Sequence, residues 1–109
     1  MTEEERNTIV SYRLERANET LIEAIELISS NHWHGAANRL YYACYYAATA
    51  LLINNKYSAK THSGVFSLLG KHFVLEGIVS RQLSDLYGKL LELRQSGDYS
   101  DWMVVTEDR

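Results

Sequence analysis

The sequence predicts an all-α protein, an antiparallel up-and-down bundle of four or five helices. Three observations carry this expectation. The 109 residues include no proline and only 6 glycines, so the main interrupters of long helices are scarce. Apolar side chains recur in steps of three and four, the spacing that gathers residues on one face of a helix. The segments showing this period are separated by short polar or glycine-containing stretches, and connections of a few residues join helices as antiparallel neighbours.

The first helix is written in Val10, Leu14, Ala17, Leu21, Ala24 and Ile28, which fall on one face, with Glu15, Glu19, Glu23 and Glu26 mostly elsewhere on the wheel. A short turn is expected between Ser29 and His32, with Gly35 just beyond it. The second helix, about 34–54, carries a single charged residue, Arg39, among alanines, leucines and tyrosines. A helix apolar nearly all round must be covered on most sides, by the rest of the bundle or by a second subunit. A loop over 54–60 follows, and Ser58 or Thr61 is placed to cap a shorter third helix bearing Val65, Phe66, Leu68, Leu69 and Phe73. Glu76 and Gly77 break that pattern. Ser80 then caps a fourth helix read from Val79, Leu83, Leu86, Leu90 and Leu93, with Gly97 as its stop. Tyr99 and Trp102, in the stretch after it, are large enough to pack back on the bundle.

A chain of this length is read as one domain over 1–109, with its core over about 8–99. Hydrophobic residues make up 46% and charged residues 23%, which places it among folding sequences rather than disordered ones. The formal net charge of -3 argues against a broad basic surface for gripping nucleic acid, so any such contact must be local. One cysteine, Cys44, forms no intramolecular disulfide and offers no thiolate set for zinc, which suits a reducing, cytoplasmic setting. The acidic opening over 1–7 does not look like a secretory signal, and the most apolar run, 40–53, is too short for a membrane span. The histidines His32, His34, His62 and His72 lack the spacing of helical metal-ligand pairs. Neither a metal nor a cofactor is expected.

Three sequence runs go further. Asn31-His32-Trp33-His34-Gly35-Ala36-Ala37 leads into Asn38-Arg39-Leu40-Tyr41-Tyr42-Ala43-Cys44-Tyr45-Tyr46. Lys60-Thr61-His62-Ser63-Gly64-Val65 opens the third helix, and Leu93-Arg94-Gln95-Ser96-Gly97-Asp98-Tyr99 closes the fourth. In this order, across about 17–99, they resemble the HEPN family of nucleotide- and RNA-linked domains. The resemblance implies a helical bundle, commonly a homodimer, often paired with a minimal nucleotidyltransferase in a toxin-antitoxin or stress-response module. Active HEPN ribonucleases are similar in an arginine followed after four to six residues by a histidine, a pair that acts on RNA without metal, usually across a dimer cleft. Here Arg39 matches the arginine, but Tyr46 stands where related small members often carry the histidine, and Leu40 stands where many active members place a polar residue. No other arginine has a histidine five to seven residues downstream.

Two helical turns put Arg39 and Tyr46 on one face about 10 Å apart. A tyrosine, with an unperturbed pKa of about 10, is a poor base near neutrality where an imidazole is a good one. The candidate ligand-binding set is therefore Asn38, Arg39, Tyr42, Tyr46 and His62. Arg39 and Tyr46 are its catalytic pair only if activity survives. Arg39 reads as a phosphate contact or as a structural arginine held by carboxylates or carbonyls. Tyr41, Tyr42, Tyr45 and Tyr46 read as groove lining or as core and dimer contacts. For His62 the readings are a cap or packing residue and a donor lining the groove. Asp98 and Tyr99 read as the family's closing motif or as helix termination with a packed aromatic. The expectation is a regulatory or nucleotide- or RNA-binding protein that dimerises through its second helix. A metal-independent endoribonuclease with an altered Arg/Tyr site is the alternative.

Overall fold

Helix α1 starts well before its apolar stripe because a reciprocal cap fixes its first turn. In the computed structural model, which describes residues 1–96, α1 spans Glu3–Ser29. The Thr2 hydroxyl accepts from the Glu5 amide at 3.1 Å, and the Glu5 carboxylate accepts from the Thr2 amide at 2.7 Å. Those bonds satisfy two amide donors that a helix start leaves open, and they hold the Glu5 carboxyl below its usual range. Glu3 and Glu4 add negative charge at the positive end of the helix dipole.

The turn to α2 (Trp33–Asn54) is tight because Asn31 adopts φ 60°, a left-handed conformation that asparagine tolerates better than most residues. Its amide bonds to the Ile28 carbonyl, and that of His32 to the Leu27 carbonyl. Gly35 sits where a Cβ would lie 3.2 Å from Leu27, so the missing side chain lets the two helices close up at the hinge. The second reversal repeats the device with Lys56 at φ 65°. Of the two cap candidates for the third helix, Thr61 is the one used. Its hydroxyl accepts from the Gly64 amide at 2.9 Å and opens α3 (His62–Leu69). A π-helical turn, Gly70–Val74, extends α3. Ser80 then caps α4 (Arg81–Ser96) by accepting from the Leu83 amide at 3.1 Å. Gly97, Asp98, Tyr99 and Trp102, the expected stop and packed aromatics, lie outside the described residues.

The described residues form four α-helices, with α2 at the centre of the other three. The core joins Ala37, Tyr41, Ala48 and Leu52 of α2 to Val65 and Leu69 of α3, Phe73 of the π turn, and Tyr87, Leu90 and Leu91 of α4. On the other side α1 runs antiparallel along α2, and among the described residues it contacts no other element. The helix of 34–54 is thus central, as its composition requires, yet α1 and α4 do not close over it.

The α1 stripe is only partly turned onto α2. Ala24 is buried and Val10 and Ala17 are half-buried, but Leu14, Leu21 and Ile28 are 52%, 41% and 38% exposed. The helix is rotated so that Thr20, fully buried and bonded to the Arg16 carbonyl at 2.6 Å, and Arg13, bonded to Thr49 of α2 at 3.2 Å, take the contact line. Two seams therefore flank α2. Leu40, Cys44 and Ala47 lie on one, and Asn38, Tyr42, Tyr45 and Tyr46 on the other, about half a turn away around the helix. No described helix is long and apolar enough to cross a membrane.

Candidate functional site

The second seam gathers the candidate residues. Asn38 and Arg39 stand at its N-terminal end. The Asn38 amide oxygen accepts from Arg39 Nε at 3.2 Å and from Nη2 at 2.7 Å. Nη1 of the same guanidinium reaches Glu23 of α1 at 3.4 Å, and its plane lies 5.5 Å from the centre of the Tyr42 ring. An isolated arginine on an apolar helix is accommodated here by one amide, one carboxylate and one aromatic face. Its side chain stays 30% exposed, so it remains open on one side.

Tyr42 is the hub. Arg94, which arrives from α4, donates from Nε to the Tyr42 hydroxyl at 3.2 Å and lies 5.8 Å from its ring and 5.5 Å from that of Tyr41. The Tyr46 ring follows one turn along, 6.2 Å from Tyr42. Arg16 and Arg13 of α1 lie 5.4 and 6.0 Å from it, and a hydrogen bond to Tyr46 holds the Arg16 guanidinium above its usual range. Arg39 and Tyr46 share a face, as their spacing demands, but Tyr42 lies between them and the described contacts do not join them directly. Four of the seven arginines in the sequence converge here, against the carboxylates of Glu23 and Glu19. In a chain of formal charge -3, this is a local cationic patch lined with aromatic faces.

His62 enters the seam from the first turn of α3, where the Thr61 cap sets it. Its ring stacks on Tyr45 at 4.4 Å and 16°, and Nδ1 is 2.5 Å from the Tyr41 hydroxyl. Burial, with help from the nearby Arg94 charge, lowers the imidazole pKa below its ordinary 6.5, so the ring is neutral at pH 7. Burial pushes the Tyr41 hydroxyl up to about 12, so the phenol keeps its proton. A phenol is the better donor of the two and an imidazole nitrogen the better acceptor, so Tyr41 donates to Nδ1 and the proton of His62 sits on Nε2. His62 is therefore a packing and groove-lining residue, and the helix cap belongs to Thr61.

The tyrosines divide between their two readings. Tyr41 is core, 1% exposed, while Tyr42, Tyr45 and Tyr46 line the seam. Arg94, Arg16, Arg13 and Glu23 complete the patch and were not singled out from the sequence as site residues. Arg13 and Arg16 carried a faint signal, being one turn apart along the flank of the α1 apolar stripe. Among the described residues no group of three or more His, Cys, Asp or Glu side chains is placed to hold a metal ion. Cys44 lies on the opposite seam, where burial pushes its thiol up to about 11 and keeps it an unreactive thiol.

Chemically, this arrangement offers planar forks for phosphate oxygens and ring faces for stacking bases or guanidinium planes. It also offers a neutral imidazole N–H donor.

The family model of the HEPN domain matches residues 10–109. A UPF0332 protein of Thermotoga maritima is 36% identical over 104 residues, covering 95% of this chain and 79% of that protein. Two Methanocaldococcus jannaschii proteins also match. "Putative toxin MJ0605" is 33% identical over 87 residues, 80% of this chain and 65% of its own length. "Putative toxin MJ0142" is 29% identical over 95 residues, 87% of this chain and again 65% of its own length. The chain thus spans somewhat under two thirds of these two methanogen proteins. No solved structure matches it.

Proposed function

Given that the chain belongs to the HEPN family, we propose that it is a nucleotide- or RNA-binding HEPN protein whose ligand lies in the tyrosine–arginine seam. In this reading it serves as the regulatory partner of a minimal nucleotidyltransferase in a toxin-antitoxin or stress-response module. The toxin names of two relatives support the module, and the family resemblance supports the partner.

One observation carries the site. Arg39 and Arg94, far apart in sequence, bring their guanidiniums to the same Tyr42 ring, and among the described residues the one carboxylate bonded to Arg39 is the half-exposed Glu23. A phosphate replaces that weak ion pair readily, because exposed pairs contribute about 1 kcal/mol or less, whereas a charge-assisted phosphate contact contributes roughly 1.5 to 3 kcal/mol. A base stacked on Tyr42, Tyr45 or Tyr46 adds sequence-tolerant affinity.

The test is a titration with nucleotides and short single-stranded RNA, followed by co-purification with a minimal nucleotidyltransferase. Arg39→Ala and Arg94→Ala should each weaken ligand binding about tenfold or more. The proposal fails if the wild-type protein binds neither ligand and Arg39→Ala leaves the co-purification unchanged.

The neutral His62 beside Tyr45 favours a second reading, a metal-independent endoribonuclease using Arg39 and Tyr46 with His62. EDTA-resistant RNA cleavage that disappears in Arg39→Ala would replace the binding role with it. The binding role is preferred because the His62 lone pair is engaged by Tyr41 and its remaining nitrogen is a donor, which suits holding a phosphate oxygen better than removing a proton.

A further inference from the structure

Tyr87 of α4 carries a polar atom that its packing does not use. The residue is 2% exposed, and its ring is held without help from its hydroxyl. It meets Phe66 edge-on at 5.2 Å and 89° and lies 5.9 Å from the Tyr41 ring. Gly88 beside it makes room for Phe66, whose Cζ would stand 2.9 Å from a Cβ there. A phenylalanine would make all of these contacts. The Tyr87 hydroxyl is closed off from water and has no hydrogen-bond partner among the described residues. Burial raises its pKa, so it keeps its proton and stands as an unused donor. Such a group destabilises a fold unless something completes it, and native structures contain few.

The same side chain walls an apolar cavity of about 110 Å³ between α2, α3 and α4, together with Cys44, Ala47, Leu69, Leu83 and Ser84. It opens to solvent beside Ala47 and Leu83, both exposed, and no charged side chain lines it. We propose that this cavity binds a small neutral carbonyl compound, whose oxygen accepts a hydrogen bond from the Tyr87 hydroxyl while its hydrocarbon part packs on the leucines.

Three properties of the cavity select that class. The first is size. An apolar cavity of about 150 Å³ holds benzene, so this one holds about four or five non-hydrogen atoms. The second is charge. A carboxylate, phosphate or ammonium would be buried here with no opposite charge to meet it, so nucleotides are excluded on both counts.

The third is the kind of polar group on the walls. Tyr87 is the one strong donor, and Cys44 adds only a weakly bonding thiol. A carbonyl oxygen takes the Tyr87 proton and brings none of its own, whereas an alcohol or amine adds a proton that these walls are poorly furnished to receive. A water molecule needs two to four polar partners, more than a largely hydrocarbon lining supplies. The site takes no residue from the tyrosine–arginine seam, and the proposal does not depend on the ligand reading there.

The test titrates cyclobutanone and methylenecyclobutane, a ketone and a hydrocarbon of the same shape, into the full chain while leucine methyl groups are observed by NMR. Cyclobutanone is expected to shift the Leu69 and Leu83 methyl signals saturably, in the millimolar range that about five non-hydrogen atoms allow. Ala47→Leu, at the exposed mouth, should abolish those shifts and keep the helical circular dichroism. In Tyr87→Phe the affinity for the ketone relative to the hydrocarbon should fall about tenfold. The thermal midpoint of that variant without ligand should be no lower than wild type, because the hydroxyl removed had no partner. The proposal is overturned if cyclobutanone gives no saturable shift, if the shifts survive Ala47→Leu, or if the affinity ratio is unchanged in Tyr87→Phe. Should Ala47→Leu fail to fold, the ratio in Tyr87→Phe decides. Should Tyr87→Phe unfold or melt clearly lower, the hydroxyl already has a partner, and that too overturns the proposal.

Discussion

At the scale of single residues, the site is a set of arginines held by aromatic faces, and its one titratable switch near neutrality is His62. Burial lowers its pKa in the folded state relative to the unfolded 6.5, so the native state favours the neutral ring. The stability this contributes is present above the unfolded pKa and is lost as pH falls below 6.5 through the lowered folded value. Urea unfolding at pH 7.5 and at mildly acidic pH should therefore show a drop in midpoint that is smaller in His62→Phe. An equal drop in both would remove His62 from the account. The sequence exposed Arg39, Asn38, Tyr42, Tyr46 and His62, because they sit in runs of family-like residues. It did not single out Arg94, although Arg94 sits in such a run, nor Arg16 and Arg13, because their meeting with Tyr42 and Tyr46 is made by the packing of α4 and α1 on α2, which no local spacing records.

Elements place those residues, and the caps are the parts that set where each helix begins. Thr61 matters most for the site, since it fixes the first turn of α3 and so the position of His62 over Tyr45. Thr61→Ala should cost about 1 kcal/mol of stability, read as a lower thermal midpoint. It should also weaken ligand binding, while a cap lost at the remote Thr2 by Thr2→Ala should leave binding unchanged. Helix identity was legible from periodicity in all four elements. What periodicity missed is the rotation of α1. A 3.6-residue period shows which side of a helix is apolar but not which neighbour that side meets, so Leu14, Leu21 and Ile28 share the apolar face yet stand exposed.

For the molecule as a whole, the contrast is between an overall charge of -3 and four arginines on one seam. Binding of a polyanion should then be salt-dependent but bounded. With at most four phosphates neutralised, the slope of log K against log salt for single-stranded RNA should be no steeper than about -3. A steeper slope, measured by fluorescence anisotropy across salt concentrations, would mean that cations beyond Arg13, Arg16, Arg39 and Arg94 take part. The all-α bundle was readable from composition, periodicity and short connections, and the open seams were not, since they arise from helices that fail to touch.

That failure has a mechanical side. With α2 as its sole partner among the described elements, α1 holds Arg13, Arg16 and Glu23 beside the seam through one helix pairing alone. A slide or turn of α1 along α2 would move those three side chains relative to Arg39, Arg94 and the tyrosines, and so reshape the seam without unfolding the protein. Anything that grips the first helix, or frays it, thereby holds a lever over the pocket.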